Sequence, residues 1–470
     1  MSAATTEEIA QAFTRLCRDS PVLRSVAAEL AGGKYRWEGV NGGYLARPVF
    51  ASLDDLHSFV GDLLVTLKAA IALPRRLFDG DLDRYCSLLG IDERRAGLMR
   101  RPGTVPTLYG RADALHDGTG FKLLETGLTS AVGAVEQIDV GPRRWMMLPE
   151  VASFVRDHRL GFVSAAETLV RLMREAAGAV RSGRDPVVVL AEGPGGLVRF
   201  GQGWAPLQRV LRNFGIDCRL AELGDLELRR NRLLLRTDSG DVPVDVVFRC
   251  FNSDQVLGHR DGPAMLDNVI RAHSDGLAVL WSHLSTELFS NKGCLALLSD
   301  PRWQGADERE RQAIDRILPW TRLLTADDRP GLSGLLAECR ERRTELILKP
   351  FVGYGGQGVI AGWECDQRRW DEALDEAATG NAIVQARVRP APERVYDPRA
   401  DREEPWDVVH GILYSPHGYT GSFARALPTG TGAVINITTN PDTRLSAVFH
   451  HGEVGGDGGR AAEPGDPSRS

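Results

Sequence analysis

The segment at residues 346–359, LILKPFVGYGGQGV, restricts the possible architectures more than any other. An apolar, strand-forming run delivers Lys349, and Pro350 ends its regular pairing. Four glycines within six positions (Gly353, Gly355, Gly356 and Gly358, with Tyr354 between) then form a loop before strand character resumes at Val359. Such glycines let a loop fold close over an anion and aim backbone N–H groups at phosphate oxygens. The lysine precedes the glycines and sits on a strand, so this is not a Walker loop, in which the lysine follows them. The glycines alone would make a hairpin turn; joined to a strand-borne lysine they make a nucleotide-binding loop. Only Lys34, Lys68, Lys122, Lys292 and Lys349 stand among 57 basic residues. A lysine kept in a phosphate-loop setting is there for a compact ammonium rather than a guanidinium fork.

A second informative segment lies far upstream. Residues 107–133 read as a strand, a turn at Asp117-Gly118-Thr119-Gly120, the strand FKLLE, and a loop opening a helix. By the two-residue period, Arg111 and Asp113 share a face of the first strand.

The remaining chain falls into regions of different texture. Residues 1–106 read as mainly helical, with helical spacing over 3–32 and 56–73, Pro74 lying beyond the latter. Residues 107–185 hold the hairpin and connecting helices, including an amphipathic helix over 160–181. In 186–290 a buried strand, a glycine loop, the helix WAPLQRVLRNFG and two further strands predict a small parallel sheet. Its glycines Gly193, Gly195 and Gly196 do not have dinucleotide-fingerprint spacing. Residues 291–451 form the nucleotide-binding region. There 406–440 read as two strands joined by Pro416-His417-Gly418, then a glycine-rich loop and another strand. His450 and His451 read as a solvated strand end, since neighbours on a strand face opposite ways. The composition of 452–470 predicts a disordered tail.

Composition narrows the function. With 470 residues, 43% hydrophobic and 26% charged, the chain is globular and long enough for several packed units. A net charge of -6 offers no basic footprint for nucleic acid and fits small-molecule substrates. Seven cysteines, scattered singly, predict reduced core thiols. The N-terminus lacks signal-peptide character and we read no 18-residue apolar stretch, so a cytoplasmic protein without membrane contact is expected. Oligomeric state is not legible.

The LILKPFVGYGGQGV segment resembles the glycine-rich lid of ATP-grasp enzymes, and further segments resemble the glutathionylspermidine synthetase-like, permuted branch of that group. GRADALHDGTGFKLLE resembles its Gly-Arg-x-Asp…Lys-Leu-Leu-Glu signature, and SNKGCLALLSD its helix start carrying an ATP-binding lysine. The resemblance implies an α/β fold: an ATP-grasp core, a Rossmann-like parallel-sheet domain and a mainly helical N-terminal region. It implies ATP contacts from Lys292, Lys349 and the glycine loop, with Gln385 and the backbone of Ala386, Arg387 and Val388 on the adenine edge. It further implies Mg²⁺ on Asp113 and Glu125, hard oxygen ligands on neighbouring strands. Arg111 would clamp a substrate carboxylate or its acyl phosphate, and Arg425 would face the transferred phosphoryl group.

Where the family pattern continues to an Asn ligand, this chain has Thr126 and Gly127, so water, phosphate, Thr126 or Asn436 would complete the metal shell. The implied activity is ADP-producing carboxylate–amine ligation through an acyl phosphate, on amino-acid or peptide substrates, in assembling a small peptide-like metabolite. The alternatives are a nucleotide-binding module without catalysis and an NAD-dependent oxidoreductase built on residues 186–250.

Overall fold

The first strand of the hairpin pairs on both edges, with its sequence neighbour on one side and with a strand almost 300 residues away on the other. In the computed structural model, which describes residues 4–32, 43–100, 106–181, 183–302, 307–324, 331–353 and 355–452, the strands Gly110–His116 and Phe121–Gly127 pair antiparallel. They extend a sheet whose other members come mainly from the C-terminal end of the chain. Its order is Gly43–Tyr44, Arg444–His451, Gly418–Pro428, Arg402–Ser415, Gly110–His116, Phe121–Gly127, with Glu393–Asp397 also pairing with Arg402–Ser415 and Val49–Ser52 with Arg444–His451.

Three smaller sheets complete the α/β fold. Strands Val279–Trp281, Val246–Arg249, Val187–Glu192 and Asp217–Glu222 lie parallel in that order, as the Rossmann-like pattern predicts. Thr321–Leu324, Ala382–Ala386, Leu346–Pro350 and Ile360–Ala361 form an antiparallel sheet that carries the lysine and its glycine loop. Leu226–Arg229, Arg232–Leu235 and Val242–Pro243 form the fourth. The N-terminal region is mainly helical, with Thr6–Asp19 capped by a Thr5/Glu8 box and Pro21–Ala31 started by Ser20.

Several expectations change. The helix expected over 56–73 runs Leu53–Phe78 with Pro74 inside it; near a C-terminus the loss of one ladder bond is offset by packing, and twelve of its residues are buried. This helix is also long and apolar enough to cross a membrane by length and composition, contrary to the reading that no such stretch exists, and half of its most apolar window is buried within the protein. The helix expected over 160–181 is Ala165–Gly178, because Gly161 bridges to His450 and Ser164 supplies the cap. The helix expected to start at Trp204 starts at Gly196. His450 is buried rather than solvated, and His451 bonds to Thr6 Oγ1 at 2.8 Å. All seven cysteines are free thiols. Tyr354 and the expected tail at 453–470 lie outside the described residues.

Candidate nucleotide and metal site

One face of the large sheet collects the charged residues. Gly411 pairs with Asp113 on one side and Phe423 on the other, Asp113 pairs with Glu125, Arg111 with Gly127, and Val409 with Arg425. Because cross-strand partners point the same way, Arg111, Asp113, Glu125, Phe423 and Arg425 share that face. A β-bulge between Asp113 and Ala114 sharpens the local twist where the two carboxylates meet.

Asp113 is buried and held from two sides. Arg111 Nε donates to its Oδ1 at 2.9 Å, Arg111 Nη2 lies 3.4 Å from Oδ2, and Arg425 Nη2 reaches Oδ2 at 2.6 Å. Burial alone would raise its pKa, but the Arg111 and Arg425 charges outweigh that and hold it at about 2. Both guanidiniums also lie over the Phe423 ring, at 5.6 and 5.9 Å from its centroid. Gly411 makes this possible: a Cβ there would sit 2.5 Å from the Phe423 ring and 3.2 Å from Arg111 Cδ. Arg425 Nε is buried without a hydrogen-bond partner, so the cluster retains donor capacity.

The lysines arrive from the opposite side. Asn291 caps the helix Lys292–Ser299 by accepting from Gly293 N, while its amide nitrogen donates to Leu89 O at 2.9 Å. Lys292 thereby begins the helix with its Nζ 3.2 Å from Glu125 Oε2 and 3.2 Å from Gly353 O, and its backbone N donates to Phe351 O. Lys349 Nζ donates to Leu124 O at 3.0 Å and to Gln385 Oε1 at 2.7 Å. Burial lowers its pKa to about 8, with Lys292 adding to that and Glu125 and Asp113 opposing it. The hairpin and the glycine-loop sheet, more than 200 residues apart in sequence, therefore meet at Leu124–Glu125.

The loop itself needs its glycines. Gly355, Gly356 and Gly358 adopt φ of +65°, +79° and +74°. A Cβ on Gly356 would lie 2.3 Å from Val434 Cγ1, and Gly355 O accepts from Thr439 Oγ1 at 3.0 Å. The loop thus rests against residues 434–439, beside Asn436.

Some assignments shift. Gln385 is buried, and its amide holds Lys349 and Thr321 rather than presenting itself to a base. The Ala386 and Arg387 N–H groups donate to Trp320 O and Glu345 O, which leaves them unavailable to an adenine edge. Val388 instead packs against the small apolar cluster of Leu115, Val409, Leu427 and Ile435, with Leu124 beside it. Thr126 points to the other face, its Oγ1 3.1 Å from Tyr414 Oη, and is no metal ligand. Asn436 Oδ1 already accepts from Thr438 N and Oγ1.

Position 127 does face the site, and a Cβ there would meet only ordinary contacts at 3.5 and 3.7 Å. Phe423, Gly411 and Thr321 were missed by sequence reasoning; only Gly411, a glycine within a β-rich run, left a signal.

Mg²⁺ fits this arrangement as a two-carboxylate site. Asp113 and Glu125 lie in register on one face, Glu125 is 40% exposed, and cations surround them for phosphate oxygens. Among the described residues no group of three or more His, Cys, Asp or Glu side chains could hold a metal, so a bound ion would take its remaining oxygens from phosphate and water.

The glycines of the parallel sheet present no comparable anion site. Glu222 accepts from Gly195 N at 2.8 Å and Leu197 N at 2.9 Å, and Glu192 from Gly193 N. Carboxylates fill the helix entrance that a pyrophosphate would require.

No family model matches the chain. It is 26% identical over 277 residues to uncharacterised proteins of Mycobacterium bovis and Mycobacterium tuberculosis, matching 54% of this chain and 43% of each of theirs. An uncharacterised Mycobacterium leprae protein matches at 26% identity over 328 residues, 67% of this chain and 51% of its own. The chain thus spans about half the length of these relatives. Among solved structures it resembles a glutathione synthetase-like effector from Globodera pallida in its apo form. That likeness has a TM-score of 0.54 at 13% identity and covers 86% of this chain and 89% of the other. It shows a shared α/β fold.

Proposed function

We propose that the chain is an ATP- and Mg²⁺-dependent ligase that activates a carboxylate as an acyl phosphate and joins it to an amine. The observation that carries this reading is the meeting of Asp113, Glu125, Arg111, Arg425, Lys292 and Lys349 at one junction, two carboxylates among four cations. The order of these motifs, carboxylates upstream of both lysines, favours the permuted branch. Lys292, Lys349 and the backbone of the glycine loop bind the triphosphate, and the apolar cluster with Val388 receives the adenine. Bound at Asp113 and Glu125, Mg²⁺ supplies charge neutralisation at the phosphoryl group. Arg425 and Arg111 hold the acceptor carboxylate oxygen in line with that group, which is positioning and electrostatics rather than protein covalent chemistry. The closed glycine loop keeps water from the acyl phosphate until the amine attacks.

ADP release tests the reading. Purified protein with Mg²⁺ and ATP is offered amino acids and small peptides paired with amines, using carboxylates labelled with ¹⁸O. A productive pair yields ADP and carries one label into inorganic phosphate. Nucleotide binding without ADP from any pair would favour a non-catalytic module. Thermal protection by NAD and not by ATP would favour the oxidoreductase, against which the carboxylate-filled loop at 193–197 argues.

A further inference from the structure

We infer that Gln385 is a positioning residue for Lys349, setting the ammonium where a triphosphate needs it. The inference rests on the nucleotide-site reading above. Three adjacent strands carry the device. Thr321 on one strand pairs with Gln385 on the next, which pairs with Ile347 on the third, and Lys349 lies two residues along that third strand on the same face. The hydrogen bonds run one way. Thr321 Oγ1 donates to Pro319 O at 2.7 Å, so it can only accept from Gln385 Nε2, at 3.2 Å. That fixes which end of the carboxamide is nitrogen and turns Oε1 toward Lys349 Nζ, 2.7 Å away. Gln385 and Thr321 are both fully buried, so bulk water does not compete for these hydrogen bonds.

The chemistry of the acceptors matters as much as their placement. Lys349 meets two neutral oxygens, Leu124 O and Gln385 Oε1, while the nearby carboxylate Glu125 is paired with Lys292. A neutral acceptor orients an ammonium without cancelling its charge; a carboxylate at 385 would neutralise it. A phosphate would add a directly bonded anion, which neither of these two acceptors is.

The test is a double-mutant cycle on binding. Affinities for ATP and for inorganic tripolyphosphate, which has no base, are measured with Mg²⁺ for the wild type, Gln385→Leu, Lys349→Met and the double variant. Thr321→Val is the milder probe, should Gln385→Leu fold poorly. Gln385→Leu is expected to weaken both ligands by a similar factor of roughly 10, the scale of one charge-assisted contact, and to cost nothing further once Lys349 is Met. Thr321→Val should lie between the wild type and Gln385→Leu.

A loss for ATP but not tripolyphosphate would overturn the inference and make Gln385 a base reader. An equal loss in both Lys349 backgrounds would reduce it to a structural residue. If the wild type binds neither ligand, the nucleotide reading fails and this inference with it; if it binds and the cycle is additive, only the inference fails.

Discussion

Asp113 is a counter-ion in the structure and, in the proposed reaction, a metal ligand, and the two uses conflict. Its carboxylate is the counter-ion of Arg111 and Arg425 and also the hard oxygen that a divalent ion would take. Asp113→Asn should therefore do two things. It leaves two guanidiniums, one of them buried, without their anion, so the apo protein loses about 3 kcal/mol, read as a lower thermal midpoint. It also lowers turnover at least about 100-fold, equivalent to about 2.7 kcal/mol of barrier. The pH dependence follows from sign: a carboxyl held below its ordinary pKa contributes stability above that ordinary value, lost as pH falls through about 2. Glu125→Gln, more exposed and paired with Lys292, should lose turnover with less effect on the midpoint. The shared facing of Arg111 and Asp113 was legible from the strand period. Arg425 above Asp113 was not, because it depends on how Val409 pairs with Arg425 and Gly411 with Asp113, a long-range register that no local pattern encodes.

The glycine loop is seated against the 434–439 segment, and the proposed lid role makes this contact the one to test. Gly356→Ala would strain a left-handed backbone and push a methyl into Val434, so the loop should lift from its seat. Limited proteolysis at residues 352–359 should then be faster and ATP should protect less, whereas in the wild type MgATP should slow cleavage. Cleavage unaffected by either change would remove the lid assignment. At the hairpin, Gly127→Asn adds a carboxamide to the face that holds Asp113 and Glu125, and Mg²⁺ should bind tighter in the presence of ATP, as titration would show. The loop was legible because glycine spacing and a strand-borne lysine are local. Its seat on residues 434–439 was not, and neither was the use of the Ala386 and Arg387 N–H groups by Trp320 and Glu345, which lie just ahead of the neighbouring strands, since both arise from tertiary contacts.

At the scale of the whole molecule, the order of strand, glycine loop, helix and strand after residue 186 announced a small parallel sheet, yet no local pattern announced that the hairpin would join C-terminal strands. The same assembly buries two imidazoles that local pattern left exposed or unremarked. Burial and His116 lower the His410 pKa to about 3, and burial, His57 and His451 lower that of His450 to about 4. For both, the folded pKa lies below the unfolded one, so stability is full above about pH 6.5 and is lost as pH falls through about 4 for His450 and about 3 for His410. His410→Leu should flatten the thermal midpoint across that window.

The central claim is that two segments more than 200 residues apart form one nucleotide site, and hydrogen–deuterium exchange with and without MgATP tests it most directly. The account predicts slowed exchange at both residues 110–127 and residues 346–358, with the loop at 193–197 unchanged. Protection confined to the glycine loop, or appearing instead at 193–197, would contradict it.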